Sequence, residues 1–145
     1  MRNILKFTLI ILTAYLLTGC CSACRAYQKS QRPLIGTQWQ LVQLGGQMIT
    51  PQEGQFTLQF VEADHSVRMM GACNRMMAKF TDDERHALQI TDIAGTRRMC
   101  RDMKTEQKFV EALQSTTHYD MDGPMMMLLS NGELRAILQS LPDKE

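Results

Sequence analysis

The chain has 145 residues, 16 Lys+Arg against 15 Asp+Glu, a formal net charge of +1 and 44% hydrophobic residues. That balance excludes a strongly basic nucleic-acid binder, and the length and apolar content suit one domain with its own core rather than a disordered polymer. Five cysteines and 12 methionines are the abnormal counts.

Arg2 and Lys6 precede the uncharged run FTLIILTAYLL at residues 7–17, the layout of a secretory signal peptide. As a helix, residues 7–21 would reach roughly 22 Å, short of the roughly 30 Å hydrocarbon core of a bilayer, so the segment is an address and not a span. It ends Leu17-Thr18-Gly19-Cys20, which resembles the bacterial lipobox: a branched apolar residue, two small residues and the cysteine to be acylated. That resemblance implies a signal over residues 1–19, cleavage before Cys20, and palmitate-type acylation of a lipoprotein whose first residue is Cys20. Two or three acyl chains hold a protein durably at a membrane. Cys21 stands where Asp would signal inner-membrane retention, so the expected address is the bacterial envelope, at the outer membrane facing the periplasm. An ordinary signal cut near Gly19 or Ala23 is the alternative. Without Arg2 and Lys6, 14 of the 16 basic residues remain against 15 acidic ones. Residues 20–33 are polar, lack an apolar period and end at Pro33, as a tether does.

The domain is expected over residues 34–140, with a tail at 141–145. Residues 37–44 have strand length and composition, and Gly45-Gly46 turns the chain into a short second strand. Phe56, Leu58 and Phe60 alternate with polar neighbours, and residues 66–71 form the partner strand across the turn at 62–65. Residues 76–81 and 88–93 pair across the charged loop 82–85. Met103, Glu106, Phe109, Val110, Leu113 and Thr117 fall near one face of a helix. Residues 125–130 and 133–138 flank Asn131-Gly132, the strongest short hairpin signal. Seven or so strands in a meander with one helix predict an α+β fold, an antiparallel, curved or partial-barrel sheet packed around that helix.

Two segments are distinctive: Gly71-Ala72-Cys73-Asn74-Arg75 and Thr96-Arg97-Arg98-Met99-Cys100. With Gly36, Thr37, Trp39 and Leu41 at the start, Glu106, Phe109 and Leu113 on the helix and the Asn131-Gly132 turn, they resemble the META domain, also called the HslJ-like heat-shock protein family, over nearly the whole mature domain. The resemblance implies a compact α+β fold, frequent attachment as an envelope lipoprotein and a stress-response role without enzymatic chemistry. It also marks Cys73 and Cys100 as a pair. In an oxidising compartment a disulfide is the first reading, and a reversible redox or metal-binding thiol pair is the alternative. Ala78 stands where the family usually has glycine and Phe80 keeps its aromatic. If that position required a positive φ, alanine would cost roughly 1 kcal/mol.

Other residues are weighed against plain structural roles. Met69-Met70, Met76-Met77, Met99, Met103 and residues 125–127 offer thioethers that suit Cu(I), but strand neighbours face opposite ways and Met is a common core filler. His65, His86 and His118 are scattered, so no zinc site is expected. Arg97, Arg98, Arg101, Lys104 and Lys108 suit anionic headgroups, or form a solvated face balanced by Asp102 and Glu106. Cys21 and Cys24 have no assigned partner. The acidic residues 82–84, with Asp120 and Asp122, match neither an EF-hand nor a paired-carboxylate site. No catalytic residue, cofactor or resident metal is expected. The expected protein is a non-catalytic, membrane-attached binding or protective module in stress tolerance, with an envelope protein or an apolar ligand as its candidate partner and no nucleic acid bound. Alternatives are a carrier of a small apolar ligand or lipid, in a groove lined by Trp39, Phe56, Phe60 and Met residues, and Met/Cys-based Cu(I) binding.

Overall fold

Strand and turn signals in the sequence translate directly into most of the backbone. A computed structural model describes residues 30–142; the expected signal peptide, Cys20, Cys21 and Cys24 lie outside them. The folded unit begins at Arg32. In chain order it contains β1 (Gln38–Leu44), β2 (Gln47–Met48), β3 (Thr57–Val61), a 3-10 turn (Glu62–Asp64), β4 (Ser66–Met70), β5 (Arg75–Asp82), β6 (Leu88–Gly95), α1 (Met103–Gln114), β7 (His118–Asp122), β8 (Met125–Ser130) and β9 (Glu133–Ser140). All strand pairs are antiparallel.

The sheet order is β6-β5-β4-β3-β1-β9-β8-β7, with β2 attached to β1. Two meanders, β3 to β6 and β7 to β9, therefore flank β1, which pairs with the C-terminal strand. A plain meander is corrected on this point: β1 lies between β3 and β9 because its two edges are satisfied by residues far apart in sequence. The sheet curls until its outer strands touch through the bridge Ala87–His118. Helix α1 packs against β1, β6 and β9, so it fills the concave side.

Alternation sets the core. Met76, Ala78 and Phe80 of β5 point inward, as do Met126 and Leu128 of β8, because side chains alternate across a pleated strand. In β1 the phase slips: Trp39, Leu41 and Leu44 are all buried, and the β1–β9 register shifts between Leu41 and Gln43. One extra residue at a bulge restores the inward direction. From α1, Phe109, Ala112 and Leu113 complete the core, and Phe109 meets Phe56 edge to face at 5.9 Å.

The Asn131-Gly132 turn takes positive φ at both residues, 50° and 85°, as a two-residue hairpin requires. Ala78 lies in β5, buried beside Val67, with no positive φ. The strain expected of an alanine there is absent, since a small side chain, not a special backbone, is what this position uses. Strand β7 carries no apolar alternation strong enough to read from sequence, with His118, Asp120 and Asp122 exposed.

Candidate functional site

Two loops converge at one end of the sheet. Residues 71–74 connect β4 to β5, and residues 96–102 connect β6 to α1. No strand pairing holds the second loop, so side chains must. Cys73 and Cys100, 27 positions apart in sequence, form a disulfide with Cα atoms 6.3 Å apart. Closing a loop of that length stabilises a fold by about 3 to 4 kcal/mol in the chain-entropy account.

Beside the disulfide, the Asn74 side chain is fully engaged. Its Oδ1 accepts from Thr96 Oγ1 at 2.9 Å and from the Arg98 backbone N–H at 2.7 Å. Its Nδ2 donates to the Arg98 carbonyl at 3.1 Å and to Glu106 Oε1 at 2.7 Å. An amide offers donors and acceptors on one planar group, which a carboxylate or a hydroxyl does not. Thr96 Oγ1 in turn accepts from the Arg75 N–H at 3.2 Å.

Glu106, in the first turn of α1, is only 7% exposed. The backbone N–H groups of Cys73 and Asn74 both donate to its Oε2 at 3.3 Å, and with Asn74 Nδ2 they meet its charge in place of a lysine or arginine among the described residues. A helix N-terminus also favours a carboxylate there. Glu106 is thus not the surface counter-charge that the sequence suggests: the apolar stripe of Phe109 and Leu113 turns it inward with them. Gly71 exists to admit it, because a Cβ at that position would lie 2.7 Å from Glu106 Cγ.

This bracing presents a projecting loop. Met99 is 91% exposed at its tip, and Arg97, Arg98 and Arg101 around it are exposed, as are Lys104 and Lys108 on α1. An apolar tip ringed by cations is a surface suited to anionic partners.

The remaining motif residues act elsewhere. Gly36, with φ 83°, donates its N–H to the Phe60 carbonyl at 2.9 Å and begins the entry into β1. Thr37 is buried, and Trp39, fully buried, donates Nε1–H to the Leu34 carbonyl at 3.2 Å. Trp39, Phe56 and Phe60 sit in the core instead of lining a groove, because the sheet closes over α1. A concavity of about 460 Å³ beside α1 has a mixed lining instead, Leu44 and Ala112 beside the charged Lys108, Glu111 and Arg135. The consecutive methionines divide between the two faces: Met69 and Met76 are buried opposite each other on β4 and β5, whereas Met77 is exposed on the other face.

At the seam between β6 and β7, His86 stacks on Tyr119 with centroids 4.8 Å apart. Asp83 Oδ1 accepts from the backbone N–H of Arg85 and Ala87 at 2.8 and 2.9 Å. The Ala87 bond, then that of Arg85, holds the Asp83 carboxyl below its ordinary range. Burial, followed by the charges of Asp82 and Asp83, pushes the Tyr119 phenol up. Asp64, beside the 3-10 turn, is also held low, chiefly by the Ser66 hydroxyl.

A family model described as META domain matches residues 32–141. No curated protein matches the chain. Solved structures share the fold: an NMR structure of a protein from Burkholderia xenovorans has 21% identity and a TM-score of 0.59, covering 76% of this chain and 85% of that one. A crystal structure of a DUF4847 family protein from Bacteroides vulgatus ATCC 8482 has 15% identity and a TM-score of 0.57, covering 77% and 96%.

Proposed function

This chain belongs to the META domain family, and from that premise we propose that it is a non-catalytic envelope lipoprotein that serves stress tolerance by binding at a membrane surface. Lipid on Cys20 would hold it at the outer membrane facing the periplasm, with residues 20–33 as the tether. The observation that carries the reading is the projecting loop 96–102, whose exposed Arg97, Arg98, Met99 and Arg101 stand on a base fixed by a disulfide and a buried amide. A surface held rigid before contact loses little freedom on binding. Covalent closure also stabilises the same base against unfolding by limiting the unfolded state.

The experiment compares the full chain, Cys20→Ala and the triple reversal Arg97→Glu, Arg98→Glu, Arg101→Glu in cells lacking the native copy. Membrane fractionation and intact mass report acylation, and survival after heat challenge reports function. Expected are an acylated, sedimenting wild type, loss of both properties in Cys20→Ala, and a folded, acylated but non-protective reversal variant. Normal mass and sedimentation of Cys20→Ala overturn the anchor. Full protection by the reversal variant overturns the role of the loop.

A further inference from the structure

We propose that the Cys73–Cys100 pair, when reduced, is a Cu(I) site completed by the thioether of Met103. Ligand atoms of Cys73, Cys100 and Glu106 all lie within 4.8 Å of one another. Met103 Sδ stands 3.7 Å from Cys100 Sγ. These sulfurs come from three places in the chain: the 71–74 loop, the 96–102 loop and the first residue of α1. Three sulfurs bound at about 2.3 Å around one ion in a plane stand roughly 4 Å apart, so the Cys100–Met103 spacing already suits a shared ion.

Donor chemistry selects the metal. Two thiolates and a thioether are soft ligands, which favour Cu(I) over Mg²⁺ or Ca²⁺. Glu106 already receives three N–H bonds, so it contributes negative charge beside the site and leaves coordination to sulfur. The consecutive methionines on the strands are scattered over two faces. Met103 is different because the helix start sets it against the cysteines.

The site is gated by oxidation state. A dithiol reductant delivers two electrons and two protons: the Cys73–Cys100 S–S bond breaks, two thiols form, and the dithiol closes to its own disulfide. On binding Cu(I) the two thiols release their protons to water. The two loops do not part when the bond is cut, because Asn74 still ties Thr96 and Arg98 to Glu106. This scaffold keeps the sulfurs near one another without the covalent link.

The test uses the full chain with Cys21→Ser and Cys24→Ser, which removes the tether thiols, and a matched chain that also carries Cys73→Ser and Cys100→Ser. Each is reduced without oxygen and titrated with Cu(I) against a chromogenic Cu(I) chelator, with thermal unfolding followed by circular dichroism. Comparing the two chains cancels any contribution of Cys20. Expected are one Cu(I) per chain in the reduced parent and none in its oxidised form or in the serine pair. Cu(I) should raise the unfolding midpoint of the reduced parent, and Met103→Leu should weaken the competition at least tenfold with an unchanged copper-free midpoint. No uptake by the reduced parent overturns the site. Uptake without a rise in midpoint overturns it as a property of the fold, since unfolded thiols would account for it. Equal competition by Met103→Leu removes the third ligand and with it the proposal.

Discussion

The sheet is tied together at two places by opposite means. At the cysteine-linked end, a loop without strand pairing is held by a disulfide, an amide and a buried carboxylate. At the seam, backbone groups do the work: Leu88 N–H donates to the Thr117 carbonyl at 2.9 Å and Tyr119 N–H to the His86 carbonyl at 3.0 Å. Main-chain pairing accepts nearly any side chain, whereas a loop brace requires one particular arrangement of donors and acceptors. The first region is therefore specified by a handful of residue types, and the second by topology.

The largest effect expected from that contrast is at Asn74. Asn74→Ala removes four side-chain hydrogen bonds and leaves Glu106 without its shortest donor, and should cost about 3 to 5 kcal/mol, since the buried bond to the Glu106 carboxylate is worth about 1.5 to 3 and each of the three partly exposed bonds to Thr96 and Arg98 about 0.5 to 1. Urea unfolding with an unchanged m-value would measure it. A loss under about 1 kcal/mol would mean that the disulfide alone carries the brace. Next in size, Cys73→Ser, Cys100→Ser and the double variant should each lose about 3 to 4 kcal/mol, equally, because all three remove one bond. Additive losses would show separate contributions from the two sulfurs.

This contrast also explains what was readable in the sequence. The Asn131-Gly132 hairpin and the β3–β4 pair follow from local rules, and the helix from Phe109 and Leu113 at the spacing of one face. The cysteine pair and Asn74 came through resemblance to a family, since spacing alone gives no partner for either. Glu106 was visible on the buried helical face, but its inward carboxylate depends on Gly71 and on N–H groups 32 and 33 positions upstream. No local pattern encodes contacts of that range. The position of β1 between β3 and β9 and the pairing of polar β7 were equally hidden, because both are set by closure of the sheet rather than by side-chain period.

The seam should respond weakly to changes in its side chains. Tyr119→Ala removes the stack on His86 but no backbone bond, and should cost about 1 kcal/mol, in the range of a single aromatic contact with partial burial. A loss as large as that at Asn74 would erase the distinction between the two regions and make the seam a specified side-chain site as well.

The smallest expected effect is electrostatic and lies at Asp83, which is fully exposed. The N–H groups of Ala87 and Arg85 favour its ionised form, so its folded pKa lies below the unfolded value of about 3.9. A depressed carboxyl stabilises the fold above the unfolded pKa and loses that contribution as pH falls through the folded pKa, because the unfolded chain binds its proton first. Asp83→Asn keeps a carbonyl acceptor while removing the charge. The stability gap between wild type and Asp83→Asn should therefore be constant from about pH 7 down to about pH 5 and narrow below about pH 4. Urea midpoints across that range measure it, and a gap that stays constant to the lowest pH would show that the turn is held by hydrogen-bond geometry and not by charge.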